Sequence, residues 1–443
     1  MRVSRGVDDK RGAVLLCLVA LLALACRRAE PPPRPARTRP SPATPDVHIV
    51  SPVGASTAPD AGGAAALSLA PTAPADPSAA VTGPLDVVAA PDGAVVVYVV
   101  SMGGRRADIV ARRVDVDGRW SGAPRRLRAT TGPVTALDAD LYQGRLWVAW
   151  IANPGGDPAV DGVNGEQLVV ALTADATLAN ASRPVTLMDY RARPVGRPWE
   201  RPAVEVRGTA LGAVAVSTGP SQTCVHEAGT DHASREPCPG WTTHTIRVDG
   251  AHESETEGLL AASQPPWGLT RTTTGVVGLV ADDHVATKTH LRAIAGMPSA
   301  GEGTYLHAVN ARLAFDGARL LMVASDEGGG DGPQRTRALG WGEGLRASQG
   351  DGSWESLPPV TAHSLRCVEG RPVVRYAWGG NTVELDPAAP GACFELAAHL
   401  PEGALPERYP ALAWAGRAVV GVDPEHGTLH RWRCEGRGLR ELP

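Results

Sequence analysis

Seven times along the chain a glycine opens a short, almost wholly apolar run. These runs are GAVVVYVV from Gly93, GRLWVAWI from Gly144, GAVAVS from Gly212, GVVGLVA from Gly275, GARLLMVAS from Gly317, GRPVVRYAW from Gly370 and GRAVVGV from Gly416. Before each lies a shorter strand-like run, such as LDVVAAPDG, PAVEVRGTALG or PALAWAG. After each come a loop and another alternating run, such as ADIVARRV, QLVVALT or THTIRV, and often a fourth, such as RRLRA or CFELAA. Period-two alternation, β-branched residues and intervening Gly, Asp and Pro predict β-strands. No stretch of useful length carries a helical period. Each unit therefore reads as four antiparallel strands, the second apolar throughout, as a strand covered on both faces should be.

A lone four-stranded unit cannot cover both of its faces. Units packed around a ring can, and they leave only short, protected edges. The chain from about Pro84 to Pro443 resembles a β-propeller, all-β, with seven blades. Six or eight are the alternatives, because the unit between Pro266 and Gly301 has the weakest pattern. Local echoes agree with a repeat: DGRW at Asp117 and DGSW at Asp351 both follow a third strand. Stacked β-sandwiches would not share one glycine-led phase.

The N-terminal fifth reads differently. Arg2, Arg5, Lys10 and Arg11 precede an apolar run from Ala13 to Ala25, too short to span a bilayer with ease. Its end, ALAC, resembles the lipobox of bacterial lipoproteins, with Ala23 where leucine is commoner. The resemblance implies a signal peptide over residues 1–25 and lipid attachment at Cys26, the new N-terminus. Arg27 in place of Asp implies the outer membrane, with the body facing the periplasm or the cell surface. Residues 26–83, rich in Pro, Ala, Ser and Thr, predict an extended spacer. Two short apolar runs within it, DVHIV near Ile49 and ALSLA near Leu69, each could add a strand to the body or be chance.

Composition removes one class of partner. Lys occurs only at Lys10 and Lys288 and Phe only at Phe315 and Phe394, a skew expected of a GC-rich genome. With a net charge of −4 the arginines do not make a nucleic-acid-binding surface.

The loops between second and third strands emerge together on one face of a propeller. Five consecutive units carry polar loops there, and loops this long are often functional. They supply Asp157, Asp161, Asn164 and Glu166; His226 and His232; Asp282, Asp283 and His284; and Asp326 and Asp331 as ligand-face candidates. The stretch TCVHEAGTDHASREPC is read as a disulfide between Cys224 and Cys238, since an exported chain oxidises its cysteines and the spacing fits no zinc pattern. Cys393 and Cys434 form the second expected pair, leaving Cys367 buried. No metal is expected with confidence in these loops. Asp157 and Asp161 are weak calcium candidates, without a twelve-residue calcium-loop pattern.

Catalytic motifs are absent: no nucleophile elbow, no HExxH and no phosphate-cradling loop. VDVDGRWS around Trp120 is similar to the Asp-box turn of sialidase-like propellers, which implies a structural turn between third and fourth strands. First strands offer Asp86 and Glu205, but no arginine cluster assembles around them. The sequence leaves catalysis open and weighs against it. It favours a membrane-anchored binding or assembly module with a protein or glycan partner. The alternative is a propeller hydrolase or lyase acting on polysaccharide, which three or more charged residues at the axial mouth would favour. The N-terminal reading carries its own test: Cys26→Ser should abolish incorporation of labelled palmitate and release the chain from the membrane fraction.

Overall fold

The computed structural model describes residues 67–443 except 77–79, 104, 155–166, 190–202, 221–238, 258–267, 274, 282–287, 296–304, 308, 327–334, 342–359, 379–380, 402–403 and 406–408. The described strands form seven antiparallel sheets in chain order. Their first strands are Leu85–Ala90, Val134–Tyr142, Val204–Thr209, Thr270–Arg271, Val309–Phe315, Val360–Val368 and Leu412–Trp414. The architecture is all-β and propeller-like. Successive sheets pack against one another, and sheet seven packs against sheet one. Among the described residues no helix is long and apolar enough to cross a membrane.

The apolar second strands are covered on both faces. In Gly93–Ser101, Val95, Val97 and Val99 join the core shared with sheet two, while Val96, Tyr98 and Val100 join the core shared with sheet seven. The next sheet repeats the division. Leu146, Val148 and Trp150 face sheet one, and Trp147, Ala149 and Ile151 face sheet three. A period of two thus sends alternate side chains into two cores. The opening glycine has a steric reason as well. At Gly93 and Gly212 φ is +143° and +153°, and a Cβ would stand 1.9 Å from a carbonyl oxygen of the third strand, Val114 or Ile246.

Two segments depart from expectation. Part of the expected spacer belongs to the folded body. Leu69–Pro71 pairs with Asn180–Ser182 of sheet two, and Ala73–Pro74 pairs with Arg125 and Arg126 of sheet one. The Leu67 N–H also donates to the Val248 carbonyl of sheet three at 3.0 Å. The run near Leu69 is thus a strap along three sheets. The second departure is CFELAA, expected as a fourth strand of sheet six. Cys393 instead bridges Phe315 of sheet five, through N–H···O bonds of 2.9 and 3.0 Å. A short helix, Leu396–His399, follows.

This turn inward corrects the expected cysteine pairing. Cys434 is bonded to Cys367, with Cα atoms 5.4 Å apart, and the bond staples sheet six to sheet seven. Cys393 is a buried free thiol whose Sγ accepts the Arg271 N–H at 3.3 Å. Cys224 and Cys238 lie outside the described residues.

Two buried histidines set an acid limit. His244 Nε2 lies 2.8 Å from Ser217 Oγ, and Nδ1 lies 2.8 Å from Ser254 Oγ. Burial first, then the nearby His252, lowers its pKa to about 3. His399 is hydrogen-bonded to Tyr376 Oη and to the Leu313 carbonyl. Burial lowers its pKa to about 4, against the pull of that carbonyl. In the unfolded chain each binds a proton near pH 6.5, whereas in the folded chain neither does so until far lower. Each therefore withdraws about 1.4 kcal/mol of stability per pH unit as pH falls below that value. The buried carboxyls described below act in the opposite sense, so the comparison must isolate one histidine. His244→Gln should flatten the loss of stability between about pH 6.5 and 4 relative to wild type, measured by urea denaturation across that window.

Candidate functional site

Each first strand lies at the edge of its sheet, so one side of its backbone has no strand partner. A buried N–H left unpaired costs about 1–3 kcal/mol. The chain meets this need with an acid at one repeated register. Asp86 pairs with Val97, Asp138 with Ala149 and Glu205 with Val216 across their hairpins. Each acid accepts an N–H from the next sheet: Asp86 from Ala139 at 2.8 Å, Asp138 from Val206 at 2.6 Å and Glu205 from Leu269 at 2.8 Å. In the first two cases that N–H belongs to the residue directly after the neighbour's own acid. In sheet seven Ala413, opposite Val420, stands in the acid's place. Asp86 accordingly turns its other oxygen to its own neighbour, Val87 N–H, at 2.7 Å. Asp140 adds a second rung by accepting Gly208 N–H at 2.7 Å.

Asp86, Asp138 and Asp140 line a cavity of about 180 Å³ where sheets one, two, three, four and seven converge. Asp86, Asp138, Asp140, Arg207, Arg271 and Glu395 form its charged wall, while Leu396, Phe394, Leu412 and Trp414 form an apolar wall. Arg207 holds the charged side together. Its Nε donates to the Leu269 carbonyl at 2.8 Å, and NH1 donates to Asp138 at 2.9 Å and to the Val206 carbonyl at 2.6 Å. NH2 reaches Glu395 Oε1 at 3.3 Å. Arg271 is bonded to Asp140 and lies over the Tyr142 ring, 4.3 Å from its centroid.

The acids outnumber the arginines, and burial shows in their protonation. Desolvation holds the Asp138 carboxyl well above the usual carboxylate range. Arg207 opposes this, and the neighbouring Asp86, Glu205 and Glu395 reinforce it. Burial also raises Asp86, against the Ala139 N–H. A buried carboxyl of raised proton affinity, beside other carboxylates, can donate its proton to a leaving group.

The sequence singled out Asp86 and Glu205 but missed Asp138, Asp140, Arg207, Arg271 and Glu395. The signal was present: Asp138 shares the register of Asp86, and Arg207 and Arg271 lie on first strands. Glu395 could not be found this way, because it sits on the segment that turns inward after sheet six. Asp157, Asp161, Asn164, Glu166, His226, His232, Asp282, Asp283, His284 and Asp331 lie outside the described residues. Asp326 ends the second strand of sheet five, opposite Arg335. The Asp-box-like turn lies between third and fourth strands, as the resemblance implied, and its Asp115 accepts the N–H groups of Asp117 and Arg119. A further group of acids and a histidine lies between the second and third strands of sheet seven. Asp423, Glu425 and His426 bring ligand atoms within 4.8 Å of one another, a set that could hold a divalent ion such as calcium. Asp423 also accepts the Glu425 N–H at 2.9 Å.

No family model and no curated protein matches the chain. Solved structures do resemble it. The polysaccharide lyase Uly1 is 10% identical with a TM-score of 0.36, over 56% of this chain and 55% of that one. The acylaminoacyl peptidase of Pyrococcus horikoshii is 10% identical with a TM-score of 0.38, over 82% and 52%. The hemagglutinin-neuraminidase of Parainfluenza Virus 5 is 10% identical with a TM-score of 0.28, over 86% and 94%. The chain spans about half the length of the first two, and at these values the likeness is one of fold alone. The sequence's weighing against catalysis is corrected by one finding: the charged cluster whose absence counted against catalysis is present around the cavity.

The latch and the chemistry can be separated at Asp138. Asp138→Ala removes the acceptor of Val206 and the partner of buried Arg207, and should cost about 3–5 kcal/mol. Asp138→Asn keeps an oxygen for both donors and should cost less than half of that, measured by chemical denaturation.

Proposed function

We propose that the protein is a membrane-anchored propeller enzyme that hydrolyses a glycosidic bond at its central cavity. The observation that carries this reading is Asp138, a carboxyl whose proton affinity burial raises well above the usual carboxylate range, lining a cavity with a second carboxyl, Glu395, beside it. Glycoside hydrolysis uses such a pair: one carboxylic acid protonates the leaving oxygen and one carboxylate activates water or attacks the sugar. Oδ2 of Asp138 is engaged by Val206 and Arg207, and Oδ1 has no partner among the described residues. The transferable proton is therefore assigned to Oδ1. Glu395, half-exposed and bridged to Asp138 by one guanidinium, takes the role of base or nucleophile. Trp414 and Phe394 offer a flat apolar wall on which the C–H face of a sugar can stack.

The lyase alternative fits less well. Elimination from a uronic acid needs cationic groups to neutralise the substrate carboxylate, and both arginines of the cavity are already held by acids. The reading includes a closed ring of seven blades, supported by the packing of sheet seven on sheet one, and a lipid at Cys26, supported by the lipobox resemblance. The purified full chain should release nitrophenol from at least one of a panel of nitrophenyl glycosides. Asp138→Asn should lower kcat by roughly 10²–10⁴-fold with little change in KM. The rate should fall as pH rises through the elevated Asp138 pKa, because the donor is then deprotonated. Unchanged kcat in a folded Asp138→Asn would overturn the assignment.

A further inference from the structure

Arg271 is firmly placed in the cavity wall, yet its hydrogen bonding is incomplete. It ends the short first strand Thr270–Arg271, opposite Val276, and its backbone N–H donates to Cys393 Sγ at 3.3 Å. The guanidinium lies over the Tyr142 ring, 4.3 Å from its centroid. NH1 spends both of its N–H groups, one on Asp140 Oδ2 and one on the Gly208 carbonyl at 3.3 Å. Nε and NH2 donate to nothing among the described residues. Those two nitrogens form the side edge of the guanidinium, with two parallel N–H groups. A cation held over one face and at one nitrogen, with that edge open, is preorganised for a two-point contact. Arg271 lines the cavity, and 16% of its side chain stays accessible.

The groups around that edge say what can fill it. Both guanidinium groups are paired with acids, Arg271 with Asp140 and Arg207 with Asp138 and Glu395, so an anion meets no uncompensated positive charge. Arg207 NH2 keeps one N–H free, and Oδ1 of Asp138 is the place assigned to the transferable proton. Asp140 Oδ1 and Glu395 Oε2 accept no hydrogen bond among the described residues. Free donors and free acceptors thus stand together in a space whose charges already have partners. Neutral hydroxyls match this, since each can donate and accept. An edge of two parallel N–H groups takes two oxygens side by side, so the hydroxyls belong on neighbouring carbons. The opposite wall of Leu396, Phe394, Leu412 and Trp414 calls for a C–H face on the same molecule. At about 180 Å³ the space falls below the roughly 300 Å³ of a drug-sized pocket, so it holds one ring and not a chain.

We infer that Arg271 is a specificity-determining residue whose free edge reads two adjacent hydroxyls on a single neutral sugar ring at the end of a glycan. Calling that ring part of a substrate rests on the hydrolase reading; the hydroxyl pair rests on the cavity alone. Asp140 serves the contact twice. Its Oδ2 holds Arg271 and the Gly208 N–H in place, and its Oδ1 is free to accept from one of the same hydroxyls. Removing either hydroxyl from the ligand leaves an N–H of the edge without an acceptor, which a site built this way penalises heavily. Arg271→Lys is the informative change. The ammonium keeps the charge and the partner Asp140, but it cannot present two parallel N–H groups from a fixed plane.

Isothermal titration of the full chain with methyl glucoside, galactoside, mannoside and xyloside finds the neutral ring that binds, and the monodeoxy analogues of that ring test the contact. Loss of either of two adjacent hydroxyls should weaken binding roughly tenfold or more, the worth of one charged hydrogen bond. In Arg271→Lys each of the same two losses should cost less than about threefold. A merely structural role for Arg271 would weaken every ligand alike and leave these ratios unchanged. Arg271→Gln provides a second variant should the first fail to fold, and the deoxy series on the wild type needs neither. Glucosamine and glucuronate should bind no more tightly than the neutral ring. The inference is overturned if no methyl glycoside binds saturably, if no two adjacent hydroxyls matter, if either charged sugar binds more tightly, or if the ratios persist in a folded variant. Binding with this hydroxyl dependence but without any glycoside turnover would defeat the hydrolase reading and leave this inference standing. Turnover indifferent to both hydroxyls would do the reverse.

Discussion

The innermost strand of each sheet has a backbone edge with no strand to pair it. Water could satisfy that edge only if the centre stayed open, and a wide wet centre would forfeit the packing between sheets. In sheets one to three the chain places an acid on each inner strand, and the acid takes the N–H of the next sheet. One side chain per sheet thereby meets the backbone demand and fixes the angle and height of its neighbour. Where the acid is missing, at Ala413, the seam between sheets seven and one is held by apolar packing of Ala415, Ala418, Val420 and Val422 against Leu85 and Val87.

Several carboxylates placed close together and away from water create an electrostatic problem of their own. Two arginines relieve part of it, and the remainder appears as raised proton affinity at Asp138 and Asp86. Structural demand and chemical potential therefore come from the same groups. Inner strands need acceptors, acceptors gathered in a small space gain proton affinity, and a carboxyl of raised proton affinity beside a cavity can serve as a general acid. Catalytic capacity of this kind needs no sequence motif, because it arises from register and not from spacing along the chain.

That explains what could be read from residues alone. The second strands were legible because two-sided burial makes every position apolar, and the glycines at Gly93 and Gly212 because a carbonyl of the third strand lies where a Cβ would be. Asp86 and Glu205 were visible as acids in otherwise apolar first strands. Their partners were not, since Arg207 and Arg271 look like ordinary polar alternates until the sheets are set side by side. Cys393 and Glu395 were misplaced for a different reason. CFELAA alternates like a strand, but the chain there turns inward to meet Phe315, a long-range bridge that no local pattern encodes. The strap at Leu69–Pro71 was equally ambiguous, because three residues on an outer edge leave too short a period to separate from chance.

The central claim is that burial among like charges keeps a proton on Asp138 in the folded protein. Carbon-13 NMR titration of carboxyl-labelled aspartate in the full chain measures this most directly. One aspartate signal should titrate well above the usual carboxylate range and vanish in Asp138→Asn. If every aspartate titrates in the ordinary range, or if the elevated signal survives that substitution, the link between the latch and the chemistry is wrong.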